Sequence, residues 1–317
     1  MAEQAAQQST PPHQRIAVII CTFDEERLGG LRESLSAIGE QVPRPDEIIL
    51  VVNDNPTLAD TLRSTASGVR ILENDRQGVS HARDLGAGAA TAEILAFIDD
   101  DAIPRPGWLA SLVHPFADDR VMMTSGRIEP RWETHQPRWF PPEFLWVVGS
   151  SYRGLPEDGA TLRNPIGASM AIRRSVVEAT GSFESHLGRI GTDGSGCEET
   201  EYAIRANRLL PGRTVTYVAT SVVDHYVPQR RTSLAYFTRR CWKEGRSKAI
   251  LVALSSTDEG LSAERAFLRS TIVSGLAATA RRPARWDRLG AMVLGLAATG
   301  GGYLVGRIML RPLQRSA

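Results

Sequence analysis

The sequence predicts an α/β fold in which a sheet is flanked by helices. Three observations lead to this fold class. Apolar runs rich in β-branched residues alternate with segments of helical apolar spacing, polar side chains follow the runs, and no internal repeat of roughly 20 to 50 residues is present. With 317 residues, 42% of them hydrophobic, the chain can bury one large α/β core or two ordinary ones.

The first elements follow a strand–helix rhythm. Strands are predicted over residues 16–21, 47–52, 69–73 and 94–98, and helices over residues 31–38, 58–67, 80–92 and 108–116. The apolar runs are typical of buried parallel strands that end in polar loops. Because α/β sheets bind ligands outside the carboxyl ends of their strands, we expect a site at these loops.

The later elements are less regular. Strands are predicted over 168–172 and 214–223, and helices over 174–180 and 198–210. Residues 131–164 predict a long, specialised loop region that contains the aromatic residues Trp132, Trp139, Phe140, Phe144 and Trp146. Trp132, Trp139, Phe140 and Trp146 could form a platform for an acceptor, or they could be core residues that hold the loop in place.

The two ends of the chain differ in character. Residues 1–14 are polar and lack the apolar segment of a secretion signal, so we expect a disordered tail. Residues 289–306 form an uncharged stretch with arginines on both flanks, at the short edge of the roughly 17 to 25 residues that span a membrane. This stretch could associate with a membrane or pack as an Ala/Gly-rich helix, and Gly302 and Gly306 would allow close helix contact.

Overall charge and cysteine content exclude several classes of protein. Lysine and arginine number 37 against 36 acidic residues, which gives no indication of nucleic-acid binding. The three cysteines, Cys21, Cys197 and Cys241, have no metal-site spacing and do not predict a disulfide framework. A reducing cytoplasm fits this usage best.

Three adjacent carboxylates follow the predicted strand 94–98: Asp99, Asp100 and Asp101. Such groups repel one another unless a cation or solvent neutralises them. Mg²⁺ and Mn²⁺ prefer oxygen ligands and can bridge carboxylates to a diphosphate, so a metal site is one interpretation. A solvated acidic turn that caps the next helix is the other.

Polar residues also occupy the neighbouring loops. Asn53 and Asp54 end the strand 47–52, where they could bind a base or ribose or simply form an Asx turn. Arg83 lies in the first turn of the predicted helix 80–92, where charge and the helix N-terminus favour phosphate oxygens. A surface ion pair with Asp84 or Glu93 is the alternative for Arg83.

The order of these motifs resembles the family 2 glycosyltransferases with the GT-A fold. The similar segments are Cys21-Thr22-Phe23 after the first strand, the Asn53-Asp54 strand end, the Ala82-Arg83 helix start, and Phe97-Ile98-Asp99-Asp100-Asp101. The resemblance covers about residues 15–250. It implies a GT-A domain with a mixed sheet, a nucleotide-sugar-binding half at 15–125 and an acceptor half at 126–250, followed by a hydrophobic helical tail at 262–317.

The resemblance also implies roles for individual residues. A nucleotide-diphospho-sugar donor would contact Thr22, Asp24, Asn53, Asp54, Arg83, Asp99 and Asp100. Asp99 and Asp101 would organise a divalent metal ion, Mn²⁺ or Mg²⁺. His225, at the end of a strand, could be a further metal ligand through one ring nitrogen, or it could be a structural histidine.

The catalytic base is expected at the start of the predicted helix 198–210. The sequence Gly196-Cys197-Glu198-Glu199-Thr200 resembles a family motif that carries a catalytic aspartate, and counting back from Thr200 implies Glu199. Glu198 is the other candidate, because glutamate is one methylene longer than aspartate. Inversion requires one carboxylate to take the proton of the acceptor hydroxyl. Helix capping by Ser195 and Glu198 is the structural alternative.

These observations predict a metal-dependent inverting glycosyltransferase with a UDP-sugar as the favoured donor. The acceptor would be a glycan, a glycolipid or a polyprenyl-linked molecule, in cell-surface glycan or glycolipid synthesis at the cytoplasmic face of the membrane. The Gln-x-x-Arg-Trp motif of processive synthases is absent, so transfer of single sugars is expected. The alternatives are a nucleotidyltransferase and a non-catalytic, membrane-docked carbohydrate-binding or assembly protein.

Overall fold

The computed structural model describes residues 14–185, 187, 196–255 and 261–314, so most of the predicted N-terminal tail and Ser195 lie outside the described residues. Its strands are β1 Ile16–Thr22, β2 Glu47–Asn53, β3 Arg70–Asn74, β4 Ile94–Asp99, β5 Ala102–Pro104, β6 Val121–Trp132, β7 Thr161–Leu162, β8 Ser169–Arg173 and β9 Thr214–Val227. Its α-helices are α1 Leu28–Gly39, α2 Pro56–Thr65, α3 Val79–Ala89, α4 Trp108–Val113, α5 Arg174–Thr180, α6 Glu198–Leu209, α7 Leu234–Ser255, α8 Ser262–Phe267, α9 Val273–Ala280 and α10 Trp286–Gln314.

The described strands form one mixed sheet in the order β3-β2-β1-β4-β8-β6-β9-β5, with β7 paired to β9. The first four strands are mutually parallel, and β8 runs antiparallel to both β4 and β6. The register sets Cys21 of β1 opposite both Val51 of β2 and Asp99 of β4. The carboxyl ends of these strands therefore meet at one edge, as the sequence predicts, and the α/β fold class is confirmed.

Helices cover both faces of the sheet. Alternate residues of each strand point to opposite faces, and apolar residues on both faces need to be covered. In β1, Val18 and Ile20 belong to one buried cluster, whereas Ala17 and Ile19 belong to a second cluster on the other face. A strand that is buried on both faces requires a continuous apolar run, and residues 16–20 supply one.

The apolar pattern of the sequence does not predict β6, and it predicts an end of β9 at residue 223, whereas the strand continues to Val227. The middle of β6 contains Thr124, Ser125 and Gly126, which do not resemble a buried strand. Both hydroxyl residues are nevertheless fully buried, because Thr124 donates to the Leu112 carbonyl at 2.9 Å and Ser125 accepts the Ile166 N–H at 3.0 Å. Internal hydrogen bonds thus offset the cost of burying polar side chains in this strand.

The aromatic residues of segment 131–164 belong mainly to a third core. Phe140 is fully buried, and its ring centroid lies 5.4 Å from that of Phe237 on α7 and 5.3 Å from that of Trp139. Ile272 and Met292, from the C-terminal segment, complete the same cluster. The structure therefore supports the core interpretation of these aromatic residues, and the interpretation as an acceptor platform is wrong for the buried Phe140.

The C-terminal helix α10 packs closely against α7. A Cβ added at Gly302 would overlap the backbone carbonyl of Trp242, and one added at Gly306 would lie 2.7 Å from the Ala249 Cβ. The close contact predicted for these two glycines is thus confirmed. Among the described residues, one helical stretch, Pro283–Leu310, is long and apolar enough to cross a membrane.

Candidate active site

Two carboxylates and one imidazole meet where β4 ends. Asp99 is the last residue of β4, and His225 lies near the end of β9. The antiparallel pairing of β5 with β9 sets Ala102 opposite His225, and the Tyr226 N–H donates to the Asp101 carbonyl at 2.8 Å. One ligand atom from each of Asp99, Asp101 and His225 therefore lies within 4.8 Å of the other two. We call these three side chains the metal group.

The metal group fits a divalent cation. His225 Nε2 lies 3.1 Å from Asp101 Oδ1. Asp101 Oδ1 and His225 Nδ1 are nevertheless both buried without a hydrogen-bond partner in the described part of the chain. A buried carboxylate oxygen without a donor is costly, and a cation would satisfy it. Carboxylate oxygens are the ligands that Mg²⁺ and Mn²⁺ prefer, so these residues could hold the predicted metal.

Two arginines face the same carboxylates. Arg27 Nη1 lies 2.5 Å from Asp100 Oδ1 and 3.3 Å from Asp101 Oδ2, and Arg231 Nη2 lies 3.8 Å from Asp101 Oδ2. Burial acts to raise the pKa of Asp101, but His225, Arg27 and Arg231 outweigh it and hold that pKa below its usual range. Asp101 therefore stays ionised, as a metal ligand must.

Asp100, which is buried, contacts Arg27 and Thr22. Thr22, which is fully buried, donates to Asp100 Oδ2 at 2.7 Å. Burial raises the pKa of Asp100 to about 6, although the adjacent Arg27 opposes the shift. The hydrogen bond between Thr22 and Asp100 joins the end of β1 to the residues that follow β4.

A second set of carboxylates surrounds Arg83, which is 4% exposed. Arg83 Nη1 lies 3.0 Å from Glu198 Oε1 and 3.2 Å from Glu199 Oε1, and Arg83 Nη2 lies 3.9 Å from Asp99 Oδ1. Burial acts to lower the pKa of Arg83, but Glu199, Glu198 and Asp99 outweigh it and raise that pKa. The guanidinium is therefore a permanent cation held by protein carboxylates.

Helix α6 presents both glutamates from its first turn. The side chain of Glu198 is 5% exposed, whereas that of Glu199 is 17% exposed. Gly167, in the loop before β8, packs directly on this ion pair, because a Cβ at this position would overlap Glu199 Oε1 and Arg83 Nη2. A larger residue at position 167 would therefore displace these two side-chain ends. We call Arg83, Glu198 and Glu199 the base group.

The remaining predicted residues lie at the ends of β1 and β2. Asn53 Oδ1 accepts from Asn74 Nδ2 at 2.6 Å. Asp54 is exposed with φ at 46°, and its Oδ2 accepts from Gln77 Nε2 at 2.8 Å. Asp24 caps the turn that follows it, with its Oδ1 accepting the N–H two residues on at 3.0 Å. The exposed carboxylate of Asp54 is accessible to a ligand at this edge.

The structure thus brings six of the predicted residues into the metal group and the base group, and Arg83 of the base group lies 3.9 Å from Asp99 of the metal group. Asp54 and Asp24 lie further along the same edge. Sequence reasoning did not find Arg27 or Gly167. Arg27 reaches carboxylates 73 positions away in the chain, and Gly167 contacts helices α3 and α6. No local pattern marks either residue, since each role depends on a contact between distant segments.

A model of glycosyl transferase family 2 matches residues 17–181, just over half of the chain. This match confirms the resemblance drawn from the order of the motifs. The matched region contains β1 to β4, the aspartates after β4, Arg83 and Gly167, and it ends before α6 and β9.

Two curated relatives match a large part of the chain. The glucosyl-dolichyl phosphate glucuronosyltransferase of Haloferax volcanii is 27% identical over 301 residues, covering 92% of this chain and 96% of that protein. The succinoglycan biosynthesis protein ExoM of Rhizobium meliloti is 24% identical over 248 residues, covering 75% of each chain. The chain therefore has relatives in glycolipid and polysaccharide synthesis.

Solved structures share the fold. The mannosyltransferase PcManGT of Pyrobaculum calidifontis, solved with GDP-Man and Mn²⁺, aligns with a TM-score of 0.58 at 21% identity, covering 94% of this chain and 86% of that one. GalNAc-T7, solved with UDP, GalNAc and Mn²⁺, aligns with a TM-score of 0.53 at 16% identity, covering 81% of this chain and 54% of that one. The expected GT-A fold is confirmed by these likenesses.

Proposed function

The chain belongs to glycosyl transferase family 2, and from this we propose that it transfers one sugar from a nucleotide-diphosphate sugar to an acceptor hydroxyl, with inversion at the anomeric carbon and assistance from Mn²⁺ or Mg²⁺. Family membership argues against the nucleotidyltransferase alternative. The complete set of acids in the site argues against a non-catalytic carbohydrate-binding or assembly protein.

One observation carries the proposal: Arg83 lies between the metal group and the two glutamates of the base group. Its two terminal nitrogens lie 3.9 Å from Asp99 and 3.2 Å from Glu199. A donor held by the metal group would therefore lie beside a carboxylate able to accept a proton. Transfer between a diphosphate and a hydroxyl needs this combination of an acidic metal site and a nearby base.

We propose Glu199 as the general base and Glu198 as a positioning residue. Glu199 is the more exposed of the two and can contact a hydroxyl that enters the cleft, while Glu198 is enclosed with Arg83. Glu199 takes the proton of the acceptor hydroxyl as the acceptor oxygen bonds to the anomeric carbon. The bond from that carbon to the diphosphate oxygen breaks, and the nucleotide diphosphate leaves with the bonding electrons.

On the donor side, Arg27 and Arg231 are proposed to bind the departing diphosphate. Both guanidiniums lie next to Asp101, and their planar forks suit phosphate oxygens. When bound, a divalent ion would stabilise the negative charge that develops on the diphosphate. Asp54, at the exposed strand end, could accept an N–H from a uracil base, so a UDP-sugar is the proposed donor.

The acceptor is proposed to be lipid-linked, with α10 in contact with the membrane. Seven of the exposed, uncharged residues of α10 recur every three or four positions: Trp286, Gly290, Val293, Ala297, Gly300, Leu304 and Ile308. This spacing places them on one helix face, which we call the α10 stripe. Water-exposed helix faces normally carry polar side chains, so an apolar solvent such as a bilayer fits this face better.

A second apolar surface lies on α7. Helix α7 starts just after the turn that contains Arg231, and it borders a cavity of about 550 Å³ lined by Leu234, Ala235, Thr238, Arg239 and Trp242. An apolar cavity at this place could accept the lipid part of an acceptor while its hydroxyl approaches Glu199.

The proposed location is the cytoplasmic face of the membrane. Cys21, Cys197 and Cys241 are all free thiols in the structure. Burial raises the pKa of both Cys21 and Cys241 to about 12, so these thiols remain protonated and unreactive at neutral pH. Three free, unpaired cysteine thiols are consistent with a reducing compartment.

Donor binding and turnover test the proposal. UDP-, GDP- and dTDP-sugars are compared with Mn²⁺, with Mg²⁺ and with chelator, in wild type and in the variants Asp101→Ala, Glu198→Gln and Glu199→Gln. We expect Glu199→Gln to lower turnover about 100- to 10,000-fold while donor affinity stays unchanged, because only proton transfer is removed. Asp101→Ala should abolish the metal dependence of donor binding.

The matched control is Glu201→Gln. Glu201 lies in the same helical turn, but its carboxylate pairs with Arg205 at 2.8 Å, so turnover should remain near that of wild type. If Glu198→Gln removes turnover and Glu199→Gln keeps it, the two glutamates exchange roles. If no donor binds under any metal condition, the proposed site is rejected.

A further inference from the structure

A cavity of about 230 Å³ lies beside the start of α10 and contains none of the residues discussed so far as donor or acceptor contacts. Small residues of α9, including Gly275, form one part of its wall. The charged part of the wall consists of one carboxylate and four arginines: Glu143, Arg153, Arg282, Arg285 and Arg288. We call this space the arginine cavity.

Positive charge in the arginine cavity exceeds negative charge. Arg153 Nη1 lies 2.9 Å from Glu143 Oε1, so this pair is neutral as a unit. Among the described residues, no carboxylate lies within ion-pair distance of Arg282, Arg285 or Arg288. Several like charges gathered around a small volume repel one another unless an anion or solvent screens them.

Two residues that line the cavity each have a buried polar atom without a hydrogen-bond partner in the described part of the chain: Arg288 Nε and Glu143 Oε2. Glu143 is 1% exposed. Asp287, next to Arg288, accepts the backbone N–H of Arg288 at 2.8 Å and does not pair with its guanidinium. Burial, and then repulsion from Arg285, lowers the pKa of Arg288. The residues that line the cavity therefore include an unsatisfied buried donor and an unsatisfied buried acceptor.

We propose that the arginine cavity binds the phosphate group of an anionic membrane lipid. Guanidinium groups form paired, charge-assisted hydrogen bonds with phosphate oxygens, which would neutralise the excess charge of Arg282, Arg285 and Arg288. Glu143 Oε2 can accept from a hydroxyl but not from a phosphate oxygen, so a headgroup with a hydroxyl near its phosphate fits best.

The position of the cavity favours a lipid over a soluble phosphate. Trp286, the first residue of the α10 stripe, lies between Arg285 and Arg288 in the sequence and is 61% exposed. Tryptophan and arginine at the end of an apolar helix face are typical of the headgroup level of a bilayer. The inference rests on the proposed membrane contact of α10, but it does not depend on sugar transfer.

Vesicle binding by the full chain tests the inference. Wild type is compared with Arg285→Gln/Arg288→Gln on vesicles of phosphatidylcholine, with and without phosphatidylglycerol, whose headgroup carries both phosphate and hydroxyls. The matched control is Arg269→Gln/Arg281→Gln, which removes two exposed arginines that do not line the cavity. We expect the cavity variant to lose affinity for phosphatidylglycerol vesicles about tenfold more than the control, with equal binding to phosphatidylcholine.

A second variant, Arg282→Gln/Arg285→Gln, changes only exposed arginines and should show the same selective loss without affecting folding. Equal losses in the cavity and control variants would indicate diffuse charge attraction and overturn the inference. So would a wild type whose unfolding temperature rises with inorganic phosphate but which shows no preference for phosphatidylglycerol. Glu199→Gln should bind these vesicles like wild type, so a failure of the proposed catalysis can be distinguished from a failure of the proposed lipid binding.

Discussion

Arg83 has three carboxylate neighbours, and they come from two separate parts of the chain. Asp99 ends β4, whereas Glu198 and Glu199 begin α6, almost 100 residues later. One buried cation therefore fixes the distance between the proposed metal ligand and the proposed base. An enzyme that must align a donor with a base benefits from such a rigid link, because small displacements of reacting groups reduce rates strongly.

At the scale of residues, Gly167→Ala tests this link. The added Cβ would overlap the ends of the Glu199 and Arg83 side chains, which can move aside. We therefore expect the free energy of unfolding to change by less than about 1.5 kcal/mol, while turnover falls about 100-fold because the base is displaced. Thermal unfolding and steady-state kinetics measure the two effects.

Gly88→Ala is the control for this change, since a Cβ at Gly88 on α3 meets no atom within 4 Å. It should leave turnover unchanged. Normal turnover in Gly167→Ala would mean that the position of the Glu199 carboxylate is not critical.

The sequence predicts much of the site because of a rule about strands. The carboxyl ends of parallel strands meet at one edge, so acids after β4 and polar residues after β2 are expected to be neighbours. The same rule does not predict how deeply each of these side chains is buried or which partner it contacts. Asp100 and Asp101 are adjacent in sequence, yet Asp100 is held by Thr22 and Asp101 faces His225, a difference that only the packed backbone decides.

At the scale of elements, a buried ion network joins α8 to α7. Glu264 on α8 lies 2.7 Å from Lys248 Nζ and 2.5 Å from Arg163 Nη1, and Glu244 lies 2.9 Å from Arg240 Nη1. Burial acts to raise the pKa of Glu264, but Lys248 and Arg163 outweigh it and lower that pKa to about 2.

This network predicts a dependence of stability on pH. Because the folded pKa of Glu264 is depressed, its contribution to stability is present above the unfolded pKa of about 4.5 and is lost as pH falls toward 2. Glu264→Gln should lower the free energy of unfolding by about 3 kcal/mol at pH 7, with the difference from wild type shrinking below pH 4.5. Urea unfolding across pH measures this.

Glu178→Gln, at an exposed position on α5, provides the comparison and should change the free energy of unfolding by less than about 0.5 kcal/mol at every pH. A gap between wild type and Glu264→Gln that stays constant from pH 7 to pH 3 would contradict the pKa-based explanation.

The contact between α7 and α10 gives a second prediction at this scale. Gly302→Ala would place a Cβ against the Trp242 carbonyl, a backbone atom that cannot move alone, so the helices must separate. We expect the free energy of unfolding to fall by about 1 to 3 kcal/mol. Gly300→Ala, on the same helix with no atom within 4 Å, should instead raise it by up to about 1 kcal/mol. The unfolding of both variants is measured in the same detergent. Equal shifts in their free energies of unfolding would refute the close packing of α7 and α10.

Secondary structure could be predicted wherever local pattern and burial agree. The helix over 174–180 matches α5, and the strand over 94–98 differs from β4 by one residue. The sequence pattern does not predict β6 or β5. Buried hydroxyl residues interrupt the apolar pattern of β6, and β5 has only three residues, too few for a recognisable apolar run. Both β5 and β6 pair with β9 at His225, so the two missed strands are also the ones that hold this member of the metal group in place.

At the scale of the whole molecule, the α10 stripe predicts membrane association. Val293, Leu304 and Ile308 are 54%, 63% and 62% exposed. Replacing all three with serine should reduce binding to phosphatidylcholine vesicles about 100-fold, since each apolar side chain contributes about 1 kcal/mol or more when removed from water. Flotation measures this, and donor affinity should not change.

Leu209→Ser is the control for surface hydrophobicity, because Leu209 is also 54% exposed but lies on α6. Vesicle binding by the triple variant at wild-type level would show that another surface carries the attachment.

The shared core of the aromatic segment and the C-terminal helices limits how the protein can be divided. Ile272 and Met292 are buried among Phe140, Phe144 and Phe237, so a chain that stops at residue 261 would leave these aromatic rings in water. Such a shortened chain should aggregate and not yield a soluble catalyst. An exchange of C-terminal segments between relatives would likewise succeed only if the matching surface of α7 is exchanged with them.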